Sequence, residues 1–81
     1  MITTQQLQLL KEGNKNAFEV LYRAYNARIY SFVLSMIGDA GVAKDITQDI
    51  FLQIWEKRLN IDLEGNLGGY LFKISQNMVY H

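Results

Sequence analysis

Two sets of residues in this chain have the types and spacing to do chemistry. The first is Asp45, Gln48, Asp49, Leu52 and Glu56, which belong to the stretch AKDITQDIFLQIWEKR between Ala43 and Arg58. At 100° per residue these five line one side of a helix, with no lysine or arginine among them. Carboxylates so placed accept charge-assisted hydrogen bonds from a basic partner, the amide satisfies polar groups that a charge does not reach, and the leucine adds apolar contact. The second set is Lys73, Gln76, Asn77 and Tyr80, which fall within about 100° of one another in the final segment. There a cation meets phosphate, amides read base edges and an aromatic ring offers a stacking surface, a combination that suits unpaired nucleic acid. Both sets also suit the solvated face of an ordinary helix, in which case Tyr80 would be half packed against a neighbour.

Catalysis has little to work with. The one histidine is the terminal His81, and there is no cysteine. Asp45 and Asp49 stand four residues apart with neither a histidine partner nor an oxygen-rich loop, so no metal site and no cofactor is expected. The glycine-rich EGNLGG lacks the lysine and the serine or threonine of a phosphate-binding loop. Its glycines are expected instead to let the backbone turn closely into the last helix.

The elements that must position these residues are four helices. Thr3 or Thr4 is placed to cap a short first helix carrying Leu7, Leu9 and Leu10, with Gly13 as its C-cap. Asn16 and Glu19 have capping-box spacing and are expected to open a long second helix, which ends at Gly38. Asp39 is expected to cap the third helix, which stops near Arg58 and buries Val42, Ala43, Ile46, Ile50 and Ile54. Phe51 and Trp55 lie between its buried and polar stripes, where their bulk should pack helices together. After the loop LNIDLEGN, the segment LGGYLFKISQNMVYH presents Tyr70, Leu71, Ile74 and Met78 as an apolar face. The expected core joins Phe18, Leu21, Tyr25 and Ile29 to Ile46, Ile50, Ile54 and Ile74. No segment alternates with period two for long enough to make a strand, so the fold class is all-α, a bundle of about four helices.

Composition narrows the setting. Eighty-one residues make one small domain, and 49% apolar content is enough for it to fold. The absence of cysteine excludes a disulfide framework, and no apolar run approaches the roughly 18 residues of a membrane span, so a cytoplasmic location is expected. Net charge is zero, which argues against gripping DNA by electrostatics alone. The distribution is uneven: residues 37–66 hold Asp39, Asp45, Asp49, Glu56, Asp62 and Glu64 against Lys44, Lys57 and Arg58. The last helical pattern is still running at His81, which predicts a piece of a longer protein.

Three blocks occur in order: AFEVLYRAY from Ala17, DAxxAxDxxQDxFLxIW from Asp39, and YLFKISQN from Tyr70. Together they resemble region 2 of bacterial sigma factors of the extracytoplasmic-function (ECF) group, over about Ala17 to Tyr80. The resemblance implies that the helix from Asp39 to Arg58 docks on the coiled coil of the largest, beta-prime, subunit of core RNA polymerase. Asp45, Gln48 and Asp49 would belong to that contact, with Leu52 and Glu56 on the same stripe. It also implies that the final helix and the loop before it meet the non-template strand of the melted minus-ten promoter element. Single-stranded promoter DNA would then contact Lys73, Gln76, Asn77 and Tyr80, with LNIDLEGN as the specificity loop. The chain departs from the family pattern at Gln76, where a basic residue is common, at Gly69 before Tyr70, and in its acidic loop. The family's helix-turn-helix domain for the minus-thirty-five element is absent from this chain, and an anti-sigma factor is the expected regulator. A helical protein-interaction domain without nucleic-acid binding is the rival reading.

Overall fold

Each helix begins where a short polar side chain accepts a backbone N–H. Thr3 opens α1 (Thr4–Lys11) with a full capping box: the Gln6 N–H donates to Thr3 Oγ1, and the Thr3 N–H donates to Gln6 Oε1, both at 3.1 Å. Asn14 caps α2 (Lys15–Ile37), Asp39 caps α3 (Ala40–Glu56) and Asn66 caps α4 (Leu67–Val79), each through a side-chain oxygen 3.0 Å from the backbone nitrogen three residues on. Such caps are worth about 1 kcal/mol each. Gly13 and Gly38, with φ of +90° and +78°, are the only positive-φ residues among those described, and they let the chain reverse after α1 and α2. The computed structural model describes residues 2–80, and within them the fold is all-α.

Helix α2 is the spine. Its 23 residues extend about 34 Å at 1.5 Å per residue, close to the 36 Å long axis of the molecule. Helices α1, α3 and α4 all pack on α2, α3 packs on α4, and α1 also lies against a 3-10 turn, Arg58–Asn60, that follows α3. The core is continuous from Leu10 through Leu21, Ile29 and Val33 to Ile50, Ile54 and Leu71, each with essentially no exposed surface. Two buried hydroxyls are satisfied within their own helices: Thr47 donates to the Ala43 carbonyl at 2.7 Å, and Ser75 to that of Leu71 at 2.8 Å. Neither side chain needs a partner from a facing helix, so the helices meet there without an orphaned polar group.

Several expectations from the sequence need correction. The cap of α2 lies two residues before Asn16: Asn14 takes that role, and Glu19 instead pairs with Arg23 on the surface at 2.6 Å. Both residues precede an amphipathic run, and the Gly13 reversal makes Asn14 the first able to reach the N–H groups of α2. Val42 is 44% exposed because it sits in the first turn of α3 beside exposed Ala40 and Gly41, where no other element covers it. Leu9 is likewise at the surface. Helix α3 ends at Glu56, not Arg58, and the start of the presumed loop is the 3-10 turn. Gly68 and Gly69 lie inside α4 and are not the hinge before it, since the Asn66 cap starts the helix ahead of them. Phe18, Tyr25 and Ile46 are partly buried at the core's edge. The continuation of the last pattern to His81 lies outside the described residues; Tyr80 is the C-cap of α4.

Candidate functional site

Because α3 turns its isoleucines inward, the opposite side of the helix must face water. Asp45, Gln48, Asp49, Leu52 and Glu56 are all exposed, Leu52 by 56%. None of the three carboxylates forms a salt bridge among the described residues, so each is free to accept from an outside donor.

Beside this stripe the structure adds something that sequence reasoning missed. Phe18 and Tyr22, one turn apart on α2, meet Phe51 and Trp55, one turn apart on α3. Phe18 meets two rings edge to face, lying 5.3 Å from Trp55 and 6.4 Å from Phe51, and Tyr22 lies tilted against Phe51 at 4.7 Å. The cluster floors an open cavity of about 500 Å³ that Lys15, Gln48 and Leu52 complete. A second cavity of about 340 Å³ shares Tyr22 and Gln48 with the first and continues past Asn26, Tyr30 and Lys44, so one groove runs along the α2–α3 seam. Phe51 packs the helices as expected, at 3% exposure, whereas Trp55 is half-buried and keeps a face on the groove. The signal was present as two aromatic pairs at i,i+4; what the sequence lacked was the pairing of α2 with α3 that brings them together.

On α4, burial of Leu71, Ile74 and Ser75 sends Lys73, Gln76, Asn77 and Tyr80 outward together. All four are exposed, and Tyr80 by 71%, so it is not half packed against a neighbour. Their side chains make no hydrogen bond to the described residues. The segment leading into α4 is anchored by Ile61, which is 2% exposed. Asp62 then folds the chain tightly: its Oδ1 accepts from the Glu64 N–H at 3.0 Å and its carbonyl from the Gly65 N–H at 3.3 Å. A Cβ on Gly65 would stand 2.9 Å from Asp62 Oδ2, so only glycine fits without moving that carboxylate. The turn encloses a small cavity of about 160 Å³ lined by Asn60, Ile61, Asp62, Gly65, Asn66 and Tyr70, among others.

Residues 21–81, most of the chain, match the family model described as Sigma-70 region 2. The chain belongs to the sigma-70 region 2 family. Its relatives place this region 2 domain in the ECF group. It is 24% identical over 78 residues to the ECF RNA polymerase sigma factor SigW of Bacillus subtilis, covering 96% of this chain and 42% of that protein. It is 34% identical over 56 residues to the ECF RNA polymerase sigma factor SigK of Mycobacterium sp. (strain KMS), covering 69% of this chain and 29% of that protein. Against the RNA polymerase sigma-H factor of Pseudomonas aeruginosa it is 28% identical, covering 95% of this chain and 42% of that protein. The region 2 domain thus spans less than half the length of these relatives. Among its described residues no helix is long and apolar enough to cross a membrane.

Proposed function

We propose that this chain is the core-binding and promoter-melting module of an ECF sigma factor. Its α3 stripe of Asp45, Gln48, Asp49, Leu52 and Glu56 docks on the beta-prime coiled coil of core RNA polymerase. There the carboxylates select a basic helix and fix its register, while Leu52 and the adjoining aromatic groove exclude water. Its α4 face then receives the non-template strand of the melted minus-ten element: Lys73 on phosphate, Gln76 and Asn77 on base edges, Tyr80 as a stacking platform, with the acidic loop before α4 sampling a splayed base. The domain carries out no chemistry of its own, works in the cytoplasm and is regulated by an anti-sigma factor that covers one of the two faces.

The observation that carries this reading is the joint exposure of Lys73, Gln76, Asn77 and Tyr80 on one helix. A pure protein adaptor has no need to hold a tyrosine 71% in water beside two amides and a cation. The chain's zero net charge implies that strand binding is weak alone, no better than the roughly 10⁻⁴ to 10⁻⁶ M of non-specific binders, and becomes useful once polymerase holds the strand in place. Pull-down of core polymerase by the tagged domain, followed by fluorescence anisotropy with single-stranded and duplex oligonucleotides in the reconstituted complex, tests both faces. A combined Lys73, Asn77 and Tyr80 alanine variant that opens promoters and binds strand like the parent would favour the adaptor.

A further inference from the structure

Arg58 stands first in the 3-10 turn after α3, outside both exposed faces. Its guanidinium lies over the Trp55 ring, with Cζ 4.4 Å from the ring centroid, and Nη1 donates to the Trp55 carbonyl at 3.1 Å. It also reaches the turn between α1 and α2: a Cβ built on Gly13 would sit 3.6 Å from Nη2 and 3.8 Å from Nε. Nε itself is buried and finds no acceptor among the described residues. A buried donor without a partner is a net cost to stability, so an aliphatic side chain would fill the same space with less penalty. What a guanidinium adds is direction. A planar fork held by a ring face and a helix-terminal carbonyl fixes the angle at which the chain leaves α3, which a flexible stem does not. The consequence falls on the residues immediately downstream. Ile61 enters the core at 2% exposure, and Asn60, Asp62, Gly65 and Asn66 shape the small cavity before α4. Helix α1 lies against the same 3-10 turn, so the Gly13 turn, Trp55 and the loop converge on this one side chain.

We propose that Arg58 is a positioning residue for the unpaired strand: seated on Trp55 and the Gly13 turn, it holds residues 59–66 in the geometry that discriminates bases, without touching the strand. This rests on the reading of that loop and α4 as the strand-binding surface. Because Trp55 also lines the α2–α3 groove, Arg58 is the point at which the docking and strand-binding regions meet.

Two variants test it in the complex with core polymerase: Arg58→Met, which keeps an aliphatic stem and removes the planar charged fork, and Arg58→Lys, which keeps stem and charge and removes only the planar fork. Anisotropy is read with single-stranded oligonucleotides that carry the minus-ten element and differ at one base. Amide hydrogen exchange is read on the full chain. Arg58→Met is expected to narrow the spread between best and worst strand about 10-fold, to leave core affinity within about 2-fold, and to speed exchange of amides 61–66 about 10-fold beyond any change at residues 43–54. Exchange that accelerates equally everywhere, with discrimination intact after correction for the folded fraction, would overturn the proposal, because that is what loss of stability alone produces. Should Arg58→Met not fold, Arg58→Lys decides: faster exchange confined to the loop with partial narrowing supports it, and parental values of both overturn it. If the parent complex shows no base preference at all, the strand-binding reading of the loop fails, while the exchange comparison still decides whether Arg58 holds it.

Discussion

Alanine substitutions of Ile50 and Leu52, two residues apart on α3, should have opposite consequences for stability and for binding. Ile50 has no exposed surface, so Ile50→Ala removes two methyls and a methylene from a closed core and leaves a cavity, at a cost of about 2–5 kcal/mol. Leu52 is 56% exposed, so less than half of the roughly 1.5–3 kcal/mol of full burial is at stake. The expected loss is about 1 kcal/mol, slightly offset by the better helix propensity of alanine. A domain of 81 residues holds on the order of 4–12 kcal/mol in total, and each kcal/mol moves the midpoint by about 4–8 °C at this size. Ile50→Ala should therefore lower Tm by at least about 8 °C, and Leu52→Ala by no more than about 8 °C. Circular dichroism melts measure this directly. In competition for core polymerase, at a temperature where both variants are folded, the order should reverse: Leu52→Ala binds more weakly and Ile50→Ala binds like the parent. Equal thermal shifts would refute the assignment of buried and exposed faces, and parental binding by Leu52→Ala would remove that residue from the docking surface.

Asp45→Ala combined with Asp49→Ala should leave the melting curve in place, because exposed unpaired carboxylates contribute little to stability, yet weaken core binding by a few kcal/mol in the same competition assay. Tyr80→Ala should reduce strand affinity in the polymerase complex by roughly 1–3 kcal/mol of lost stacking, about 5- to 150-fold, irrespective of base. Asn77→Ala should instead flatten base preference, and oligonucleotide series read by anisotropy distinguish the two. Gly38→Ala should cost about 1–2 kcal/mol in a denaturant titration, all of it from the backbone, since φ is +78° and a Cβ there would meet nothing within 4 Å.

The candidate surfaces were unequally legible in the sequence. The α3 stripe and the α4 face could be read from helical periodicity, because a helix that buries Ile50, Ile54 and Ala43, or Leu71 and Ile74, has to turn the residues between them to solvent. The aromatic groove was not legible. Phe18, Phe51 and Trp55 read as ordinary packing residues, and the groove exists only because α2 and α3 lie side by side with their aromatic pairs in register. Arg58 was only half legible: the Trp55 ring stands three residues before it, but nothing local predicts its contact with a glycine turn from the other end of the chain.

What the chain determined by itself was local. Thr3, Asp39, Gly38 and the isoleucine periodicity of α3 act through hydrogen bonds and torsions within a few residues, so their effects can be read one segment at a time. Tertiary structure decided whatever depended on a neighbour distant in sequence. It left Val42 in water although periodicity puts it in the apolar stripe, and drew Ile61 out of a polar loop into the core. The physical reason is the same in each case. A hydrogen-bonded cap is made inside one element, whereas burial is shared between two surfaces and has no value until the second surface is in place.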